Sequence, residues 1–491
     1  MTVAVSGMYL HTNNDNEAGW SGSDGPDTYN VAVQGSNSES WLVSKNSSET
    51  ATLTKSADLS GTDNLFNMWM KSDLSYYYTS IKVLLISSAG NYREYTLATA
   101  VNPKVSGDFH AFALDVNNGG VETGTFVPDS LSSLAVTVDN NSSGNIRSVT
   151  NNWIDAMYFG PGLTISGTTA GDQVFTEATE IDEAISNRYG VLENIEEKIF
   201  SQGNLELTGT ALTSRNESLT FKDTDNGLPL YKLTVSGTIV FDTTLIDASG
   251  AAAFLFNSFG ASSFSMTGGG FTKASAVNFD SGQIISGINV IGSGAVDTNG
   301  AAFSNSTIAN TTETITGSLV LNSAAEASNI SNIQFKNFTG RYAVYVPASV
   351  TGSIALNGFI SDGSGTDIYW AGTGGTLTVN MAGGTNFTTT ASAGGTVSLE
   401  NTVALTIDAP VSLIGAEIRI YDLDNTPTGS LGTELAGTES HVSATYLYTG
   451  SGVNVIWIQI MLNGYVEFGQ AYTMPTSDGT FTALLKADLN T

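Results

Sequence analysis

The side chains of this sequence that could do chemistry are nearly all carboxylates. It holds 46 Asp and Glu against 17 Lys and Arg, with three His and no Cys. Without Cys there are no disulfides, thiolate metal sites or thiol nucleophiles. His11, His110 and His441 are widely scattered and leave little for a His-based site. Glycoside hydrolysis needs two carboxylates at a set separation across the scissile bond. Asp223, Asp225, Asp242, Asp247, Asp280 and Asp297 qualify by type, but sequence fixes no separation. Asp223-Thr224-Asp225-Asn226-Gly227 opens like a calcium loop. Its twelfth position is Thr234 rather than Glu, so it reads as a turn. Gly268-Gly269-Gly270 lacks the Lys-Ser/Thr of a phosphate loop. No cofactor is expected, and the acidity attracts Ca²⁺ without any ligand spacing that demands it.

The elements that would position such groups repeat. Gly317-Ser318-Leu319-Val320-Leu321-Asn322 returns as Gly352-Ser353-Ile354-Ala355-Leu356-Asn357, as Gly375-Thr376-Leu377-Thr378-Val379-Asn380 and as Gly395-Thr396-Val397-Ser398-Leu399-Glu400. An earlier copy is Gly237-Thr238-Ile239-Val240-Phe241-Asp242. Two apolar positions flank one residue, so both point to one face of a short strand. Ile333-Gln334-Phe335 fills the gap after Leu319, and the period is about 20–25 residues, the size of one solenoid coil. Ala343-Val344-Tyr345-Val346 and Asp367-Ile368-Tyr369-Trp370 read as the second strand of each coil. A single coil cannot bury its apolar strip, whereas stacked coils share one core. An antiparallel sandwich fits the same short strands, but the spacing favours a parallel β-helix.

The length, 491 residues, exceeds one compact core. Charged residues make up 13% and hydrophobic ones 41%, which favours β architecture and excludes disorder. The net charge of −29 repels nucleic acid and anionic lipid. The first residues, Met1 to Gly7, show neither a basic n-region nor an apolar h-region, and no run approaches a membrane span. The expectation is therefore no signal peptide, no membrane insertion and no nucleic-acid partner.

The predicted fold class is all-β, with an N-terminal jelly-roll sandwich over 1–165. A helical linker or β-helix cap follows over 166–202. A central single-chain right-handed parallel β-helix occupies 203–401, and a small C-terminal β-sandwich occupies 402–491. Alternating strands such as Ile81-Lys82-Val83-Leu84-Leu85-Ile86, closing with Trp153-Ile154-Asp155-Ala156-Met157-Tyr158-Phe159, resemble a jelly-roll of the carbohydrate-binding-module kind. Trp20, Trp41 and Tyr76-Tyr77-Tyr78 are candidates for stacking on sugars; a core or domain contact is the commoner place for each such ring. The helix is expected over Ala178–Ile185, capped by Thr176 and ended by Gly190. Gly415-Ala416-Glu417-Ile418-Arg419-Ile420 and the late strand into Asn463-Gly464-Tyr465 resemble a transthyretin-like or Ig-like sandwich.

Parallel β-helices often carry pectate lyases and polygalacturonases. Here no His follows Gly, no two Asp are adjacent and no Arg has Lys two positions on, so the polygalacturonase pattern is missing. A lyase base would have to come from Lys222, Lys232, Lys273, Lys336 or Arg341. Lys336 and Arg341, with Asp362 and Asp367, form the one arguable set, and a scattered surface pair is the simpler reading of it.

Thr366-Asp367-Ile368-Tyr369-Trp370, the following Gly374-Gly375-Thr376-Leu377-Thr378-Val379 and the terminal strand into Gly464-Tyr465 resemble virion proteins of tailed bacteriophages, particularly marine ones. The resemblance implies a non-enzymatic structural protein of the particle: a tail fibre or spike, or a capsid fibre or decoration protein. It implies assembly in the host cytoplasm, other virion proteins as partners, contact with host cell-surface polysaccharide, and a homotrimer or other homo-oligomer. A tailspike-type polysaccharide depolymerase and a bacterial surface-layer protein or adhesin stay open beside it.

Overall fold

Strands dominate the computed structural model, as the alternation of apolar and hydroxyl residues requires. It describes residues 3–12, 14, 19–23, 25–27, 32, 34, 38–44, 46–59, 65–72, 79–99, 109–117, 119–140, 149–167, 173–184, 188–221, 231–313, 317–382, 387–422, 434–438, 443–449, 455–473 and 479–488. Among these, no helix is long and apolar enough to cross a membrane. The chain divides into two compact units, Met1–Asn278 and Phe279–Thr491.

The first unit opens with the jelly-roll sandwich. One antiparallel sheet contains His110–Asp115, Leu65–Ser72, Val149–Gly160 and Ser38–Ser44 in that order. The other contains Asn91–Thr99, Ser80–Ser88, Ser133–Asp139 and Ser48–Leu53. Phe66, Met68 and Met70 face Ile81, Val83 and Leu85 across the core. Leu65–Ser72 is buried on both faces. Its odd residues face away from that core and meet a later segment: Asn67 Nδ2 donates to Tyr189 O at 3.0 Å, and Trp69 Nε1 to Arg188 O at 3.0 Å.

Parallel coils follow in the same unit. Leu163–Gly167 pairs with Leu205–Arg215, which pairs with Tyr231–Asp242. The latter continues to Phe254–Asn257 and Ser263–Thr267. A separate parallel row runs through Lys198–Ser201, Ser218–Phe221, Leu245–Asp247 and Gly270–Thr272. Apolar residues stack in register inside, as in Leu207 on Val235 and Leu219 on Ile246. Gly167, Gly209 and Gly237 form one column where the long strands bend. A Cβ on Gly237 would lie 2.2 Å from Gly209 O, at φ +118°, so only glycine fits. Val3–Ser6 pairs antiparallel with Leu163–Gly167 and occupies the open side of that first strand.

The helix runs Val174–Asp182, earlier than expected from sequence. Phe175 packs on Phe241 of the coils, with ring centroids 6.0 Å apart. Thr176 is not its cap, and Gln173 makes no side-chain cap bond. Glu217 at a coil corner accepts from Thr176 N at 2.9 Å instead, a partner no local pattern shows. The helix ends well before Gly190, because Asp182 turns back to bind residues 189–192.

In the second unit the coil strands form three rows, the third of which ends at Ile360–Ser361 among the described residues. One row runs Ile284–Ser286, Ala302–Ser304, Ile330–Ser331, Gly352–Asn357, Gly375–Ala382 and Gly395–Asp408. A second runs Ala295–Asp297, Leu319–Val320, Tyr342–Val346, Thr366–Trp370 and Thr389–Ala391. A third runs Asn289–Ile291, Thr307–Ala309, Gln334–Lys336 and Ile360–Ser361. Val296, Leu319, Val344 and Ile368 stack through the interior, all buried. The frames beginning at Gly317 and Gly352 therefore lie on different sides of the coil, whereas those at Gly375 and Gly395 are in register. Corners use Asn with positive φ, such as Asn305 at 52° and Asn332 at 55°. Asn332 Nδ2 donates to Asn305 Oδ1 at 3.0 Å, tying one corner to the next.

Gly395–Asp408 is shared between two structures. Through Asn401 it pairs with Gly375–Ala382 of the coils. Beyond that it pairs antiparallel with Ser443–Thr449 and parallel with Gly479–Thr482. Ile407 and Phe481 then pack against Ile418, Ile420, Ile458 and Ile460 of a four-stranded antiparallel sheet, closing a small β-sandwich.

Candidate functional site

The aromatic residues singled out from sequence do not assemble into a sugar platform in the described structure. Trp41 is 1% exposed and lies in the sandwich core with Val43 and Ile154, so neither ring face is open. Its place follows from the Ser38–Ser44 alternation, which sends Trp41 and Val43 inward together. Trp20 is half-buried against the same core, and its Nε1 donates to Asn14 Oδ1 at 3.1 Å. Tyr76, Tyr77 and Tyr78 lie outside the described residues.

The described coil carboxylates are engaged in their own neighbourhoods. Asp242 accepts from Arg215 Nε at 3.0 Å, and Asp247 from Ser249 N at 2.9 Å. Asp280 accepts from Ser281 N at 2.8 Å. Asp297 accepts from Asn299 N at 3.1 Å and Asn322 Nδ2 at 2.8 Å. Burial pushes its carboxyl above the usual range, and these bonds oppose that shift. Asp223, Asp225 and Lys222 lie outside the described residues. Of the set around Lys336 and Arg341, Lys336 acts on Asp362 by its charge, while Asp367 and Arg341 bind other groups. Asp367 is 1% exposed and binds Ser361 Oγ, Thr388 N and Thr388 Oγ1. Asp362 accepts from Asn337 N at 2.7 Å and Ser364 N at 2.9 Å. Burial opposes its ionisation, but hydrogen bonds from Ser364 and Asn337 and the charge of Lys336 outweigh it and hold the carboxyl low. Arg341 Nε donates to Thr311 O at 3.3 Å.

The structure does offer a cleft that sequence did not show. It lies in the first unit and has a volume of about 240 Å³. Its wall is the outer side of three parallel strands, on which Thr164, Glu206 and Thr234 stand in register. At the ~4.8 Å spacing of neighbouring strands these three side chains span about 10 Å. Lys232 stands two residues before Thr234 on the same side, and Pro161 borders the entrance. The floor is fixed by Asn204, whose Oδ1 accepts from Lys232 N at 3.0 Å and whose O accepts from Leu163 N at 2.9 Å. Ser236 Oγ donates to Glu206 Oε1 at 3.3 Å. The cleft therefore presents a carboxylate, an ammonium and two hydroxyls on rigid strands. Lys232 was visible in sequence as one of few basic coil residues; its neighbours come from distant strands that only the register unites.

In the second unit the outer side of the coils carries a tyrosine stack. Tyr369 lies on Tyr342 at 4.5 Å and 19°, and on Tyr345 at 5.7 Å and 20°. Tyr369 Oη and Ser392 Oγ share a hydrogen bond of 2.7 Å. In the strand ladders Tyr345 is paired with Val320 and Tyr369 with Thr390 of neighbouring coils. Its role is cohesion between coils.

The sequence matches no family model and no curated protein. Among solved structures, part of the chain is similar to an agarase, AgWH50C, at 8% identity and a TM-score of 0.24, covering 32% of this chain and 24% of that one. The chain thus spans about a quarter of the agarase's length. It is also similar to TmCBM61, solved in complex with β-1,4-galactotriose, at 14% identity and a TM-score of 0.19, covering 32% of this chain and 86% of that one.

Proposed function

We propose that this chain is a non-enzymatic structural protein of a bacteriophage particle, a tail fibre or spike or a capsid fibre or decoration protein, that touches host glycans. The observation that carries the reading is the outer surface of the coils. Backbone ladders hold rows of hydroxyl and amide side chains in register, as in Ser286 with Ser304 at 3.2 Å and Asn380 with Ser353 at 2.8 Å. A polysaccharide repeats its hydroxyls along a chain, and a ruled polar surface suits it. The particle assignment is supported by the resemblance of Thr366–Trp370 and its neighbours to phage virion proteins, and the net charge of −29 argues against a nucleic-acid partner. Its partners are other virion proteins and copies of itself.

The test is incubation of the full chain with host capsule or envelope polysaccharide, reading retention and product together. Retention without new reducing ends or unsaturated products is expected. Such products would replace this reading with that of a depolymerase. Imaging the particle with the protein labelled supplies the second arm, and a particle lacking it would favour a bacterial surface-layer protein or adhesin.

A further inference from the structure

We propose that the cleft beside Asn204 binds a single neutral sugar ring by its vicinal hydroxyls; this rests on the glycan-contact reading and adds a site and a ligand class to it. The lining selects the chemistry. Glu206 is exposed at the rim and accepts hydrogen bonds through two oxygens. Thr164 and Thr234, half-buried on either side of it, both donate and accept. Lys232 only donates. A sugar hydroxyl is itself donor and acceptor, so adjacent hydroxyls on one ring satisfy such a mixed lining.

Other ligand classes fit poorly. An apolar molecule would strip water from the carboxylate, the ammonium and the hydroxyls and return no hydrogen bonds. An anionic sugar would bring its charge to Glu206 on a chain of net charge −29. Size sets the length bound at one time. The volume of about 240 Å³ is below the ~300–1,000 Å³ of sites for drug-sized ligands, which suits one ring rather than an oligosaccharide. Position supports the same reading. The side chains stand on paired strands and Asn204 braces the floor, so little order has to be gained on binding.

The experiment is saturation-transfer NMR on the full chain. Methyl β-D-galactopyranoside and methyl α-D-glucopyranoside are the neutral probes, and sodium glucuronate is the anionic one. At least one neutral probe is expected to bind with a Kd of roughly 1 mM, and glucuronate about tenfold more weakly. Glu206→Ala and Thr234→Val are each expected to weaken the neutral probe about tenfold, with thermal melting confirming that both variants fold. Silence from both neutral probes at about 50 mM overturns the proposal, as does equal binding of glucuronate or indifference to both substitutions. Retention of host polysaccharide, measured on the same proteins, separates the two claims. Neutral probes that stay silent while polysaccharide is still retained remove the cleft and leave the glycan reading standing. A sugar bound in the cleft by a chain that retains no polysaccharide does the reverse.

Discussion

Replacing Asp182 with alanine tests how the helix Val174–Asp182 is held to the chain that follows it. Asp182 is 1% exposed. It accepts from the backbone N–H of Tyr189 at 2.8 Å, Gly190 at 3.2 Å, Val191 at 3.0 Å and Leu192 at 2.7 Å. Burial pushes its carboxyl up to about 7, with the four amides opposing the rise. Each of the four bonds is worth roughly 1 kcal/mol net. Loss of all four gives about 4 kcal/mol, a large share of the ~5–15 kcal/mol typical of a domain. The sign of the pH effect follows from the same shift. The unfolded chain releases this proton near the ordinary Asp value of about 3.9. The folded chain keeps it to about 7, so this contribution to stability is full below about 4 and is lost as pH rises to about 7. The gap between wild type and Asp182→Ala should therefore be widest at about pH 4 and narrower at pH 8. Trp69 reports on it, because its indole N–H is bound to Arg188 O. Urea unfolding followed by tryptophan fluorescence gives the free energy, and hydrogen exchange at residues 189–192 gives the local cause. A loss under about 1 kcal/mol at about pH 4 with those amides still protected would refute the reasoning.

Two further outcomes follow from the coils. Tyr369→Ala removes two ring contacts and the Ser392 hydrogen bond, and should cost about 2–3 kcal/mol in denaturant unfolding; Tyr369→Phe keeps the stack and should cost about 1 kcal/mol. Equal losses in the two variants would mean that the hydroxyl, not the stack, matters. Gly237→Ala places its Cβ against Gly209 O, a backbone atom that cannot step aside, so a soluble yield and melting temperature close to wild type would contradict the column.

What could be seen in the sequence was whatever one coil contains. The frames at Gly375 and Gly395 are in register because a single coil separates them, and the strips around Val344 and Ile368 share a row for the same reason. The frame at Gly317 matches that at Gly352 in letters but occupies another side. All three sides need the same short apolar alternation, so the letters carry no side label. The start of the helix was misplaced because its capping carboxylate, Glu217, arrives from a coil corner. The cleft was invisible for a related reason: Thr164, Glu206 and Thr234 become neighbours only through strand register. Trp41, a sugar-stacking candidate from sequence, stands in the core, and the period-two alternation of Ser38–Ser44 was the local signal that could have placed it there.

The strand Gly395–Asp408 has a mechanical consequence. It belongs to the last coils for half its length and to the terminal sandwich for the other half, so no loose tether joins them. A pull on the sandwich along this strand loads its ladder bonds in shear, many at once, rather than unzipping them singly. Torque passes through the same unbroken backbone, and the terminal sandwich has no pivot there on which to swing.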